Sequence, residues 1–303
     1  MTVSAVAVVA VAATTAFFSD TETSSENILQ AGAIDLQIDS EAHYAGLVCT
    51  PEGVWEVENT DLGTTRPELV GEPCDGTWDS TDLTEERFFN LTDLKPGDEG
   101  ENTISLHVFD NDAWGRLIIS NVLDEDVDCT EPESEDLDDP ECSSTSIPAE
   151  GELQDNLEFS IWLDQGLTLG FQNSDQETEN DDPEEGDNIQ QQGEPTLVST
   201  GPLDVGGETL DIWVGLGLYR LSLGTACDLT DLDGDGHATS NGTYLECHGL
   251  ATDGRLVGSV NYYFGLAWEL PEDTGNEAQG DRLTADLSFE VEQQRNNPIP
   301  FGP

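Results

Sequence analysis

The stretch Asp231-Leu232-Asp233-Gly234-Asp235-Gly236-His237 places three carboxylates at alternate positions with a glycine directly after the third. Hard divalent cations such as calcium take oxygen ligands, and this spacing wraps carboxylates around one ion while the glycine permits a sharp turn. Asp231, Asp233 and Asp235 are therefore candidate side-chain ligands of a structural calcium ion, with the His237 carbonyl as a fourth. The match to an EF-hand stops there, because its twelfth position is Gly242 in place of Glu; Glu246 is the candidate distal carboxylate. The competing reading is an ordinary acidic turn. Catalytic patterns are otherwise missing from the sequence: His43, His107, His237 and His248 form no HExxH, and GxSxG, P-loop and GxGxxG are all absent. A glycosidase-type carboxylate pair carries no information among 65 acids. The expectation is a chain that is not an enzyme.

Six cysteines fall as near neighbours, Cys49 with Cys74, Cys129 with Cys142 and Cys227 with Cys247. An even count argues for disulfides in an exported protein, and the spacing suggests these local pairs among the 15 possible connectivities. The last pair brackets the candidate calcium loop. Asn90-Leu-Thr and Asn241-Gly-Thr are glycosylation sequons, making Asn90 and Asn241 candidate acceptors.

The charge is extreme, 8 basic against 65 acidic residues in 303, or −57. Nucleic acid is excluded as a partner, because binding phosphate needs clustered Lys and Arg. Acids spread through the whole chain repel one another in dilute buffer, yet a Debye length of about 3 Å at 1 M salt nearly abolishes that repulsion. The composition predicts an extreme halophile, an archaeon, and partial unfolding when salt is removed. Val3 to Ala13 is almost wholly Ala and Val and too short to span a bilayer, so residues 1–16 are expected to be a signal peptide cleaved before Phe17. No Lys or Arg precedes that run, and a retained anchor is the alternative.

Period-two alternation dominates the rest. It runs through Ile34-Leu36-Ile38, Ile104-Leu106-Val108, Leu157-Phe159-Ile161-Leu163, Val260 to Leu270, and Leu283 to Val291. Each reads as a strand with one face in a core and one in solvent. No segment shows a convincing helical period, so the expectation is an all-β antiparallel sandwich or barrel with long acidic loop insertions. The insertions are Asp124 to Glu141 and Gln172 to Pro195, both read as solvated surface loops, the second with too little apolar surface to order itself.

Three blocks carry a resemblance. FFSDTETSSENILQAGAIDLQID from Phe17, LTDLKPGDEGENTISLHVFDNDAW from Leu91 to Trp114, and YFGLAWELPEDTGNEAQGDRLTADLSFEVEQQRNN from Tyr263 to Asn297 lie in the same order as in TasA and camelysin-like proteins. The chain resembles a haloarchaeal member of that family. The resemblance implies a jelly-roll sandwich over residues 31–303, exported through a specialised signal peptidase, whose relatives polymerise into extracellular fibres and pili of the biofilm matrix. It implies that residues 17–30 form a donor strand inserted into a neighbouring subunit, with Phe17 and Phe18 as anchors. The partner would be the chain itself, head-to-tail, or a paralogous subunit, at the cell surface of an extreme halophile. Camelysin has been classed as a metallopeptidase, but the chain shows no zinc motif. An extracellular peptidase and a monomeric adhesion module are the alternatives.

Overall fold

A computed structural model describes residues 19–22, 34–84, 86–109, 111–127, 149–171, 182–203, 207–224, 227 and 247–302. In chain order the strands are β1 (Ser19–Glu22), β2 (Asp35–Tyr44), β3 (Leu47–Cys49), β4 (Trp55–Val57), β5 (Trp78–Thr81), β6 (Glu99–Phe109), β7 (Ala113–Asp126), β8 (Ala149–Glu150), β9 (Glu158–Leu163), β10 (Thr196–Pro202), β11 (Glu208–Leu210), β12 (Asn261–Glu269) and β13 (Asp281–Gln293). A one-turn helix α1 (Leu153–Asn156) precedes β9, and α2 (Ile212–Leu223) follows β11.

The strands form two sheets. The smaller is ordered β1-β13-β7-β11 with β8 added to β7; the larger is ordered β10-β9-β12-β6-β2-β3-β4 with β5 added to β2. Every ladder between these strands is antiparallel. The alternating residues explain the layering. Leu36 and Ile38 of β2, Ile104 and Leu106 of β6, and Tyr262 and Phe264 of β12 turn inward and meet Leu117 of β7 and Phe289 and Val291 of β13 in one buried cluster. Each such side chain contributes about 1.5–3 kcal/mol by leaving water. The fold is thus the expected all-β antiparallel sandwich.

Two expectations are corrected. The segment 212–223 is a helix of three turns, although its sequence IWVGLGLYRLSL shows no amphipathic stripe. Apolar residues surround it on nearly all sides, so periodicity fails as a signal even though a helix forms. Gly224 ends it with φ +53°, a conformation costly for a side chain with a Cβ. The second half of the acidic insertion is also ordered: residues 182–195 run as defined turns against the outer face of the larger sheet. Consequently that face is not bathed in solvent. Glu101, Thr103 and Ser105 of β6 are buried, and the Trp162 ring lies over Gly265, where a Cβ would collide with it.

Candidate functional site

The edge of the smaller sheet is the first feature with functional content. β1 pairs antiparallel with β13 of its own chain, Ser19 opposite Glu292 and Glu22 opposite Phe289. On its other edge β13 pairs with β7 along its whole length. Residues 281–288 of β13 therefore have no ladder partner on the β1 side among the described residues. Beside this free edge a groove of about 2170 Å³ opens between the two sheets. Leu283, Ala285 and Leu287 of β13 line one wall, and Phe159 and Ile161 of β9 with Trp268 of β12 line the other. Those three β13 residues are only half-buried, whereas Phe289 and Val291 further along the same face are fully so. An apolar face left open next to unpaired backbone N–H and C=O groups suits an extended peptide strand.

The Leu94-Lys95-Pro96-Gly97-Asp98 turn forms the second. Gly97 adopts φ +88°, and its N–H donates to the Leu270 carbonyl at 2.7 Å. Asp98 then turns inward instead of outward. Its Oδ2 accepts from the Lys95 N–H at 2.8 Å, the Tyr44 hydroxyl at 2.7 Å and Arg66 Nη1 at 2.7 Å. Arg66 also reaches the Tyr44 hydroxyl, the Asp93 carbonyl at 3.1 Å and, through Nε, Glu68 at 2.7 Å. Both charged side chains are buried. Burial, reinforced by the Asp98 hydrogen bond and charge, pushes the Tyr44 hydroxyl pKa far upward, so it stays a donor.

A third cluster is built from carboxylates that serve as backbone acceptors. Glu194 takes N–H donors from Gln165 and Gly166 at 2.7 and 2.8 Å and from Gln191 at 2.8 Å. Asp164 takes those of Gly186 and Asn188 at 3.0 and 3.2 Å. These bonds stabilise the ionised form, but desolvation outweighs them and raises Glu194 to about 7 and Asp164 to about 6. Glu101 is raised by burial and by the nearby Asp164 charge. Because the folded pKa values lie above the unfolded ones, the stability these groups contribute is full below about pH 4 and is lost as pH rises through about 6 to 7. We expect amide exchange in residues 182–195, corrected for its intrinsic pH dependence, to show greater protection at pH 5 than at pH 7.5. Glu194→Gln should flatten that difference; an unchanged pH profile in that variant would assign it to other groups.

Of the residues singled out from sequence, Cys49–Cys74 and Cys227–Cys247 are disulfides, with Cα separations of 5.9 and 5.6 Å. Asn90 is exposed, its side-chain amide donating to Asp75 at 2.7 Å. Phe17, Phe18, Cys129, Cys142, Asn241 and the calcium candidates Asp231, Asp233, Asp235, His237 and Glu246 lie outside the described residues. Among the described residues no group of three or more His, Cys, Asp or Glu side chains is arranged to hold a metal ion, and no helix is long and apolar enough to cross a membrane. Sequence reasoning missed Arg66 as the partner of Asp98 and the anchoring roles of Asp164 and Glu194. No protein-family model matches the chain, and a search of curated proteins finds no match.

Proposed function

We propose that the chain is a secreted structural subunit of an extracellular filament, assembled head-to-tail when the N-terminal segment of one copy pairs with the sheet edge of the next. The observation that carries this reading is the pairing at β13: a four-residue strand covers one end of the edge, while among the described residues nothing pairs with the rest of that edge, beside which the apolar groove lies. Removing β1 from its own β13 costs one short ladder, and the same ladder reforms on a neighbour, so exchange is inexpensive. Donor and acceptor surfaces differ, so the contact need not close into a ring. Phe17 and Phe18 directly precede β1 and would enter the next subunit with it, each contributing about 1.5–3 kcal/mol on burial. The jelly-roll topology and likeness to TasA belong to this proposal, as does a calcium ion held by Asp231, Asp233 and Asp235 within the loop that the Cys227–Cys247 bridge closes.

Pairing of β1 within its own chain also favours a second reading, a self-complemented monomer acting in adhesion. Electron microscopy separates the two. The mature chain beginning at Phe17, in roughly 3 M salt where its charge is screened, should give filaments. A version lacking Phe17 to Asn27 should stay monomeric. Monomers from both would sink self-polymerisation and leave the adhesion module.

A further inference from the structure

Val214, Leu218 and Leu221 of α2 are 37%, 64% and 68% exposed, and at spacings of four and three they form one stripe on the outer side of the helix. The opposite side, Ile212, Leu216 and Tyr219, packs into the core. From Ile212 to Cys227 the chain carries no Asp or Glu, although acids crowd the rest of it. The charge within the helix is Arg220, which is buried beneath it, joins none of the ion pairs among the described residues, and has an Nε without a hydrogen-bond partner. Two copies of a molecule bearing 57 excess negative charges repel over most of their surfaces. Within the helix itself no acid opposes the approach, and Asp253, whose backbone lies against Gly217, is paired with Arg255 at 2.9 Å.

We propose that the outer face of α2 is a contact between two copies of this chain, packed antiparallel about a twofold axis through Leu218. The stripe is self-complementary in that arrangement. Leu218 meets its own counterpart, Val214 meets Leu221 in both directions, and the two helix dipoles oppose. Ser222, a small exposed residue flanking the stripe, lets the backbones approach. A few side chains per copy make a small interface, so the association is weak and needs screened charge. An anionic lipid surface is repelled by the same charge that this face merely lacks.

The test uses the symmetry of the contact. In the mature chain, Leu218→Cys places one thiol on the axis, where a residue pairs with itself. Mild oxidation at roughly 3 M salt should then give dimers on a non-reducing gel at several times the yield of Leu62→Cys, whose parent side chain is 84% exposed but lies off the helix. A Leu218→Cys yield no greater than that of Leu62→Cys overturns the proposal. Head-to-tail strand exchange creates no such twofold axis, so either idea can fail while the other stands.

Discussion

Asp98→Ala is expected to lower the unfolding free energy by about 3–5 kcal/mol, because it takes from the buried Arg66 guanidinium the one buried carboxylate among its three partners and leaves it the exposed Glu68 and Asp93. Asp98 is the last residue of the Pro-Gly turn and accepts from three groups at once, two of which, Tyr44 and Arg66, reach it from distant parts of the chain. Removal therefore takes the shared acceptor from a buried hydroxyl, a buried cation and a turn N–H together. At about 2–4 °C per kcal/mol for a domain of this order of size, the melting midpoint should fall by roughly 10 °C. Asp93→Ala supplies the control, since that side chain is 74% exposed and pairs with Arg66 at 3.4 Å; exposed pairs contribute about 0–1 kcal/mol. The double variant Arg66→Met with Asp98→Leu should recover much of the loss, because exchanging both buried ions for apolar groups is often neutral. Equal midpoints for Asp98→Ala and Asp93→Ala in thermal melts would remove Asp98 from its central place.

Transfer from about 3 M to about 0.1 M salt is expected to lower the melting midpoint by more than about 15 °C, with partial unfolding at the low end, as the Debye length grows to about 10 Å. The sign of the effect is the informative part. Salt weakens ion pairs, and most of the described cations sit in one: Lys95 with Asp93, Arg116 with Glu290, Arg255 with Asp112 and Asp253, Arg282 with Glu125. A protein held mainly by such pairs would soften as salt rises. Here 65 acids face 8 bases, so screening relieves far more repulsion than it removes attraction. Circular dichroism melts across a salt series read this directly, and a midpoint that stays flat or falls with salt would contradict it.

How much was legible beforehand depends on the range of the interaction. Alternation is a local pattern, and it located the inward residues of β2, β6, β9, β12 and β13 because one face of each strand had to leave water. The cysteine spacings likewise gave two bridges found among the described residues. The Pro-Gly turn was visible, but not that Asp98 faces Arg66, 32 positions away; any of 65 acids is an equal candidate until the chain is folded. Helix α2 escaped because periodicity reports a half-wet surface, and this helix is apolar on its wet side too. The ordering of residues 182–195 escaped for the converse reason. Its stability comes from carboxylates receiving backbone N–H groups, which composition registers only as charge. The part of the β13 edge without a ladder partner among the described residues has no sequence signal, because an unpaired edge is a property of the neighbours a strand lacks.

Where the few cations sit decides how the chain meets digestive enzymes. Proteases of the trypsin type need a Lys or Arg side chain in extended, accessible backbone. Arg66 and Arg220 are buried, Arg116 is clamped between Glu290 and the Phe301 ring, and Arg255 is held by two aspartates. Arg282 is exposed but lies within the hydrogen-bonded ladder of β13, and Lys95 is followed by Pro96, which blocks cleavage after it. Arg87 and Arg295 are left as accessible sites in loops. A chain so poor in usable cleavage points is shielded from one large class of secreted hydrolases without any shield being added, and that durability would suit the extracellular filament proposed above.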